Sequence, residues 1–265
     1  MTKLQDTVIA TEFGHAKEQG LEKTALQAAL TDSKKSALSK YQDVVIGSTS
    51  FFELLKFEFL TTVIGSLPGA AGLMLRKMLY KSMFGSIGRN VVIGRSVTIR
   101  HPRKIHLGDN VVIDDYAVLD AKGSTNQGIF IGDNVLIGRN SVISCKNGDI
   151  YIGDNTNIAM NCFVQSAKDV RIGKNILFAA YCYVIGGGDH MTDRIDIPIL
   201  AQGQIVRGIT IEDNCWLGAG VKVQDGASIG RDSIIGSGAV VTKDIPKFSI
   251  AVGIPAKVAK KRTAQ

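Results

Sequence analysis

The sequence predicts a parallel β-helix, in which triangular coils of three short strands stack on one another. From Ile87 onward, aliphatic residues recur every six positions in groups of three. Most groups open with nearly the same four residues, such as IGDN at Ile131 and Ile152, and such polar and glycine residues are typical of tight corners. A β-sandwich would instead show alternation with a period of two and hairpin turns. Because the period of six continues through seven groups, we expect seven coils with strands about 4.8 Å apart.

Each of the seven groups supplies the large inward side chains of one coil. The triplets are Ile87, Ile93 and Ile99; Leu107, Ile113 and Leu119; Ile131, Ile137 and Ile143; Ile152, Ile158 and Val164; Ile172, Phe178 and Val184; Ile211, Leu217 and Val223; and Ile229, Ile235 and Val241. A smaller residue follows many of these aliphatics four positions later, as at Ala117, Ser141 and Cys162. The coils must stack, because a single coil cannot bury its own apolar side.

Composition and charge limit the classes of function. The chain has 265 residues, a net charge of +7 and 6% aromatic residues. The positive charge suggests an anionic partner or serves solubility, and no nucleic-acid partner is expected because basic residues are not interleaved with aromatic ones. Cys145, Cys162, Cys182 and Cys215 show no CxxC spacing, which favours reduced thiols in a cytoplasmic protein. No signal peptide is expected, because the start of the chain is polar and charged.

The chain divides into three predicted parts. Residues 1–83 form an N-terminal region that begins polar and becomes amphipathic and helical. Residues 84–248 form the β-helix, and residues 249–265 form a short basic tail. The β-helix and the regions around it therefore account for the whole sequence.

Residues 51–83 leave two interpretations open. The uncharged stretch 59–75 has 17 residues and is interrupted by a Pro-Gly pair, so it is marginal for a membrane span and suggests two helices around a bend. We favour helices that cover the open end of the β-helix or form an oligomer contact. The alternative is an amphipathic contact with the inner membrane, in which Arg76, Lys77 and Lys81 would meet anionic lipid.

A long loop interrupts the coils after the fifth group. The step from the fifth to the sixth group is 27 residues, and the loop 185–210 contains His190. Long loops that leave a regular scaffold commonly carry function. A neutral imidazole accepts a hydroxyl proton near neutral pH, so we predict that His190 is a general base. Asp189 or Asp193 would orient the ring and stabilise its protonated form.

Two stretches of the sequence carry a family resemblance. One runs from Trp216 to Arg262 and contains WLGAGV, IGSGAV, VTKDIP and PAKVAK, and the other is the GGGDH sequence that ends at His190. With these motifs, the chain from about Ile87 to Arg262 resembles the hexapeptide-repeat acyltransferases, and it is most similar to maltose, galactoside and polysaccharide O-acetyltransferases. The resemblance implies a left-handed parallel β-helix, a homotrimer and active sites in clefts between subunits. It also implies acetyl transfer from acetyl-CoA to a hydroxyl of a sugar or of a surface-glycan intermediate in polysaccharide biosynthesis.

The resemblance implies roles for individual residues. His190 would deprotonate the acceptor hydroxyl, which attacks the thioester directly without an acyl-enzyme, and a backbone N–H would meet the oxyanion. Ala219 and Ser237 would line the pantetheine arm, and Thr242 and Lys243 would lie near the phosphates. The full set of predicted cofactor contacts is Trp216, Gly218, Ala219, Ser237, Thr242, Lys243, Lys257 and Lys260. The predicted acceptor contacts are Asn161, Tyr181, Tyr183 and Arg194.

Other functions stay open at the level of the sequence. Where the sugar acetyltransferases place an acceptor-binding Asn, this chain has Ala159, with Asn161 two residues later. N-acylation of an amino sugar, a longer acyl donor and a non-catalytic scaffold are therefore alternatives. A γ-type carbonic anhydrase needs three histidines that converge on a metal, and His101 and His106 lie four coil steps, roughly 19 Å, from His190, which rejects such a site within one subunit. A three-histidine site between subunits stays open and would be tested by metal analysis. We expect no metal, and we expect a cytoplasmic protein that is peripheral at the inner membrane if the N-terminal helices bind lipid.

Overall fold

The computed structural model describes Gln27 and residues 30–263, so most of the polar start of the predicted N-terminal region lies outside the described residues. The chain divides into two compact units. The larger unit contains Ala37–Gly188 and Val206–Gln265. The smaller unit contains Asp189–Ile205, which belongs to the predicted loop, and residues from the start of the chain.

The larger unit is built from very short strands. The strands of the first five coils are β1 (Ser86–Ile87), β2 (Val92–Ile93), β3 (Thr98–Arg100), β4 (Ile105–Leu107), β5 (Val112–Ile113), β6 (Val118–Asp120), β7 (Ile129–Ile131), β8 (Leu136–Ile137), β9 (Val142–Cys145), β10 (Ile150–Ile152), β11 (Asn157–Ile158), β12 (Phe163–Ser166), β13 (Val170–Ile172), β14 (Leu177–Phe178) and β15 (Tyr183–Gly186). The loop contributes β16 (Asp189–His190) and β17 (Gln204–Ile205) to the smaller unit. The remaining strands are β18 (Ile209–Ile211), β19 (Trp216–Leu217), β20 (Lys222–Gln224), β21 (Ser228–Ile229), β22 (Ile234–Ile235), β23 (Val240–Val241), β24 (Ser249–Val252) and β25 (Lys257–Lys261).

Successive coils contribute one strand each to three sheets. The first sheet has the order β1-β4-β7-β10-β13-β18-β21, the second β2-β5-β8-β11-β14-β19-β22-β24-β25, and the third β3-β6-β9-β12-β15-β20-β23. Neighbouring coils pair in parallel, as in Ile87 with Leu107 and Ile158 with Phe178. This confirms the predicted parallel β-helix of seven coils. Its left-handed sense stays a prediction from the family resemblance.

The interior contains the predicted aliphatic triplets. Every member of the seven triplets is buried, with at most 4% of its surface exposed, except Ile87. Ile87, on the first sheet of the first coil, is half-buried and packs against the same core. The stacked triplets form one continuous apolar core, which is how a repeat that is unstable alone becomes stable in an array.

The corner between the first and second sheets is held by a ladder of asparagines. Six of them adopt the left-handed conformation, with φ between 55° and 58°: Asn90, Asn110, Asn134, Asn155, Asn175 and Asn214. The side-chain amides of the first five hydrogen-bond from coil to coil, for example from Asn134 Nδ2 to Asn155 Oδ1 at 3.1 Å, and Asn214 Nδ2 donates to Asp232 Oδ1 at 2.6 Å. Asn tolerates this conformation better than most residues, which explains its recurrence in the sequence.

Helices precede the first coil. They are α1 (Ala37–Tyr41) with a π-helical turn (Gln42–Ile46), α2 (Phe51–Glu58) with a π-helical turn (Phe59–Ile64), and α3 (Gly69–Leu79) with a 3-10 turn (Tyr80–Ser82); further 3-10 turns are Pro102–Lys104 and Ile199–Ala201. Along α2 and its continuation, Leu54, Phe57, Leu60 and Ile64 recur at helical spacing and join the buried core of the β-helix. No helix among the described residues is long and apolar enough to cross a membrane.

Backbone groups at the free edge of the first coil are paired with the N-terminal helices. The N–H of Ser96 donates to Gly65 O at 2.9 Å, and the N–H of His101 donates to Val45 O at 2.8 Å. These bonds replace the pairing that a preceding coil would provide, because buried backbone groups need a partner. At the other end, β24 extends the second sheet and β25, from the predicted basic tail, pairs with it antiparallel.

Arg76 fastens α3 to the first coil. Only 1% of its surface is exposed, and its guanidinium donates to Ile93 O at 2.8 Å through Nε and to Leu67 O at 2.7 Å through Nη1. Burial lowers the pKa of this guanidinium. Arg76 therefore cannot contact anionic lipid, contrary to the amphipathic interpretation of the sequence, whereas Lys77 and Lys81 are exposed.

Candidate active site

The loop that carries His190 folds as an antiparallel hairpin within the smaller unit. Strands β16 and β17 pair Asp189 with Ile205 and His190 with Gln204. The N–H of Met191 donates to Gly203 O at 3.1 Å, which closes the next rung of the hairpin. The long insertion between the fifth and sixth coils is therefore an ordered element that presents the exposed imidazole of His190.

The side-chain partner found for the His190 ring is an amide. Gln204 Nε2 lies 2.7 Å from His190 Nε2 across the hairpin. With Gln204 donating its N–H, Nε2 carries the lone pair, which is the form of the ring that accepts a proton. Sequence reasoning did not find Gln204, because nothing in the loop pattern reveals which residue faces His190. Asp189 and Asp193, which were predicted to orient the ring, lie exposed in the same loop.

Arg194 is engaged within the loop. Its side chain forms an ion pair with Asp196, in which Nε donates to Oδ1 at 3.0 Å. Its backbone N–H donates to Gln202 Oε1 at 3.0 Å, and its carbonyl accepts from Gln202 Nε2 at 2.7 Å. The hydrogen-bonded carboxylate of Asp196 raises the pKa of Arg194, and the guanidinium lowers the pKa of Asp196. Arg194 thus holds the loop, in addition to any role towards the acceptor.

The corner between the second and third sheets changes character along the β-helix. Its left-handed position is occupied in successive coils by Ser96, Tyr116, Asn140, Asn161, Tyr181, Gly220 and Gly238. In the sixth and seventh coils this position therefore has no side chain. A Cβ added at Gly220 would have only Gly238 Cα near it, at 4.0 Å, and one at Gly238 would meet nothing within 4 Å. The corner is open to solvent at these two coils.

We call this surface the corner strip; it consists of Ala219, Gly220, Ser237 and Gly238. Ala219 and Ser237 are small and exposed, and Gly238 N donates to Ala219 O at 2.8 Å, which joins the two coils. Half of the surface of Trp216 is exposed beside the strip on the second sheet. The structure thus brings together the residues that were predicted to line a pantetheine arm.

Gly218 has a packing role at the same corner. It is buried, and an added Cβ would lie 2.6 Å from Ser237 N. Only glycine lets the sixth and seventh coils approach this closely. Its N–H donates to Ile235 O at 2.8 Å, and that of Gly220 donates to Ala180 O at 3.0 Å. Both amides are therefore occupied within the β-helix.

The other predicted cofactor contacts, Thr242 and three lysines, lie beyond the corner strip, at the C-terminal end of the β-helix. Thr242 and Lys243 are exposed in the turn that follows β23. Lys257 and Lys260 are exposed on β25, opposite Val252 and Ile250. Ammonium groups at the end of an open strip can bind phosphates.

The predicted acceptor contacts lie on earlier coils. Asn161 is half-buried at the corner of the fourth coil, and its N–H donates to Arg139 O at 3.0 Å. Tyr183 is 40% exposed on the third sheet, where its ring stacks on that of Phe163 at a centroid distance of 5.4 Å. Tyr181 is 61% exposed at the corner of the fifth coil.

The cysteines are core residues. Cys145, Cys162, Cys182 and Cys215 are free thiols with at most 2% of their surface exposed, as predicted. Burial raises the pKa of Cys145 to about 12 and that of Cys215 to about 11. A buried thiol that stays protonated is a poor nucleophile, so an acyl-cysteine intermediate at Cys145 or Cys215 is disfavoured.

Comparisons with known proteins agree with this architecture. The family model described as bacterial transferase hexapeptide (six repeats) matches residues 208–243, and the hexapeptide repeat of succinyl-transferase matches residues 86–115 and 128–166. A probable acetyltransferase of Mycobacterium tuberculosis is 39% identical over 132 residues, which are 50% of this chain and 44% of that protein. The galactoside O-acetyltransferase of Escherichia coli is 27% identical over 190 residues, which are 69% of this chain and 66% of that protein.

Solved structures with the same fold include the following one. It is that of AntD, an N-acyltransferase from Bacillus cereus in complex with dTDP and coenzyme A, with a TM-score of 0.50, 21% identity and coverage of 75% of this chain and 92% of AntD. A putative acetyltransferase of Saccharomyces cerevisiae is 37% identical over 121 residues, which are 45% of this chain. The matched region spans 44% of the Mycobacterium protein and 60% of the yeast protein. The stacked coils, the repeat matches and the named relatives together support the resemblance of this chain to the hexapeptide-repeat transferases.

Proposed function

We propose that this protein is an acetyl-CoA-dependent O-acetyltransferase that acts on a hydroxyl of a sugar or of a surface-glycan intermediate. The observation that carries the proposal is the corner strip, where two successive coils lose the side chain that earlier coils have. An extended pantetheine arm needs such a smooth surface. Its phosphates would then meet Lys243, Lys257 and Lys260, while Trp216 would flank the arm and Thr242 would lie near the phosphates.

The proposed chemistry uses His190 as general base. Its neutral imidazole takes the proton of the acceptor hydroxyl, once the acceptor replaces the Gln204 amide at Nε2, while the acceptor oxygen forms a bond with the thioester carbonyl carbon. Asp189 or Asp193 stabilises the resulting imidazolium. When the C–S bond breaks, His190 returns the proton to the departing sulfur of CoA, so that no group of the protein is acylated.

A backbone amide would stabilise the oxyanion that forms during attack. Gly218 and Gly220 use their N–H groups for Ile235 O and Ala180 O within the β-helix. We therefore assign the oxyanion donor to the N–H of Ala219, the remaining residue of this turn. On the acceptor side, Asn161, Tyr183 and Arg194 offer an amide, a ring and a guanidinium to a sugar-like molecule.

The decisive experiment is a transfer screen over sugars, nucleotide sugars and glycan intermediates, with release of CoA thiol corrected for hydrolysis. We expect acceptor-dependent thiol release with one acceptor class and a product whose acetyl group is removed by mild base, as for an ester. A base-stable amide product would instead show N-acylation of an amino sugar. Failure to bind acetyl-CoA in calorimetry, together with no transfer, would leave only a scaffold function.

We also propose that the chain acts as a homotrimer in the cytoplasm, as its family resemblance implies. The chain mass is 28.4 kDa, so sedimentation equilibrium should give about three times this value. A monomeric mass at micromolar concentration would contradict the trimer.

The N-terminal helices suggest a peripheral membrane contact as well. Their outer helical face, defined as Phe51, Phe52, Leu55, Phe59 and Val63, is 47% to 82% exposed. Exposed contiguous apolar surface marks an interaction site. We propose that this face lies on an anionic lipid surface, where an acceptor built on a lipid carrier would be found.

Charge around the outer helical face favours anionic lipid over a basic partner. Glu53 is paired with Arg103 at 3.0 Å, and hydrogen bonds from Ser48 and Arg103 lower the pKa of Glu53. Lys77 and Lys81 are exposed cations on α3 and the turn that follows it. Such cations near an apolar helix surface add attraction to anionic headgroups.

Replacing both Phe52 and Phe59 with serine should reduce binding to phosphatidylglycerol-containing vesicles at least tenfold, because each buried phenyl ring contributes about 2 kcal/mol. Vesicle co-sedimentation measures the effect. Ile199→Ser is the matched control, since Ile199 is 57% exposed outside these helices. Equal vesicle binding by the double variant and the parent, or no binding by the parent, would contradict the membrane contact.

A further inference from the structure

We propose that the ring of Tyr181 closes the end of the corner strip at which the acyl group lies and restricts the protein to short acyl donors. This inference rests on the proposed binding of acyl-CoA along the corner strip. It assigns donor chain length, which the family and the relatives leave open, to one side chain of the fifth coil.

The first observation is the change of residue along one column of equivalent positions. Tyr181, Gly220 and Gly238 occupy the same left-handed corner position in the fifth, sixth and seventh coils. The Gly220 N–H donates to Ala180 O at 3.0 Å, so Tyr181 adjoins the residue on which the corner strip rests. The strip has no side chain at Gly220 and Gly238, and it ends at a phenol ring that is 61% exposed.

The second observation is the backbone of Tyr181. Its φ is 64°, a left-handed conformation that bulky residues adopt rarely and at a cost. Asn140 and Asn161 occupy the same position in earlier coils with φ of 58°, so a residue better suited to the conformation fits this corner. The ring of Tyr181 is not part of the core, since most of its surface is exposed. A strained position that holds an exposed ring beside the corner strip points to a role for that ring outside the fold.

The third observation is the orientation that CoA would have along the corner strip. The cations Lys243, Lys257 and Lys260 lie beyond the seventh coil, at the opposite end of the strip from Tyr181. A CoA molecule with its phosphates at these lysines would point its thioester towards the fifth coil. Adjacent coils are about 4.8 Å apart, so an acyl chain longer than acetyl that continued along the strip past Gly220 would meet the ring of Tyr181.

The experiment compares acetyl-, butyryl- and hexanoyl-CoA as donors for the parent protein, Tyr181→Asn, Tyr181→Phe and Tyr116→Asn. In Tyr181→Asn, the ratio of kcat/KM for hexanoyl-CoA to that for acetyl-CoA should rise at least tenfold. Tyr181→Phe keeps the ring and should keep the short-chain preference. Tyr116→Asn makes the same exchange at the same corner, with a parent φ of 61°, three coils away, and should not change the ratio.

The outcomes separate this inference from the proposed function. If the parent transfers acetyl groups and Tyr181→Asn keeps the parental ratio, the acyl limit is wrong and the acetyltransferase proposal stands. A change in the KM of the acceptor alone would assign Tyr181 to the acceptor and would overturn the inference. A parallel rise in Tyr116→Asn would trace the effect to the backbone and would overturn it too. If the parent binds none of the three donors in calorimetry, both proposals fail together.

Discussion

Replacing His190 with alanine is expected to lower kcat/KM for acetyl transfer by about 10² to 10⁴-fold, the range that a positioned general base contributes. Without the imidazole, the acceptor hydroxyl must attack while still protonated. The β-helix should be unaffected, because His190 is exposed and lies in the hairpin of the smaller unit. Acetyl-CoA affinity should stay within about threefold, because the cofactor contacts are assigned to the β-helix.

The measurement is a steady-state assay with hydrolysis subtracted, together with calorimetry for acetyl-CoA and a thermal unfolding curve. His106→Ala is the matched control, since His106 is a second accessible imidazole that stacks on Phe130 in the second coil. Its transfer activity should equal that of the parent. Near-parental turnover by His190→Ala would refute the assignment of the base.

Gly238→Asn is expected to weaken acetyl-CoA binding at least about 30-fold, equivalent to about 2 kcal/mol. The asparagine side chain would occupy the surface of the corner strip that the pantetheine arm needs. The fold should accept the change, because Asn140 and Asn161 occupy the equivalent position with a left-handed backbone. A loss of affinity without a loss of stability would identify the absent side chain as the reason for the open strip.

The control for this variant is Gly69→Asn. Gly69 has φ of 69°, close to the 71° of Gly238, and an added Cβ at either position meets nothing within 4 Å. Calorimetry should give the parental dissociation constant for Gly69→Asn. An unchanged dissociation constant in Gly238→Asn would contradict a cofactor site on this corner.

Lys243→Ala should weaken acetyl-CoA binding by about tenfold, which is less than the effect of Gly238→Asn. The effect of Lys243→Ala should shrink at high salt because the substitution removes one exposed charge.

The repeat could be predicted from the sequence because every coil buries side chains at the same positions. A residue such as Ile137 or Leu217, both fully buried, has equivalent partners above and below, so the period of six directly reports the interior. The positions of the corners could be predicted for a similar reason, since Asn and Gly recur where the backbone must be left-handed. Handedness is not encoded in that period, and its prediction still depends on resemblance.

Features outside the repeat could not be derived in this way. The pairing of His190 with Gln204 depends on the path of a long loop that has no periodicity. The burial of Arg76 depends on carbonyl groups of Ile93 and Leu67, which the sequence does not bring together. In the candidate site, the motifs predicted Ala219 and Ser237 of the corner strip but not Gly238. Tyr181 was predicted as an acceptor contact, and its place at the end of the strip follows only from the stacking of the coils.

The pairing of Ser96 with Gly65 and of His101 with Val45 has a consequence for self-association. An uncovered first coil would offer three unpaired strands, and a second molecule could continue the stack there, as in fibre growth. The N-terminal region occupies two of those donors, at Ser96 and His101, and Arg76 occupies one acceptor, Ile93 O; at the opposite end β25 pairs with the last strand of the second sheet. These contacts leave fewer open backbone groups at the two ends of the solenoid, and we expect them to oppose end-to-end addition.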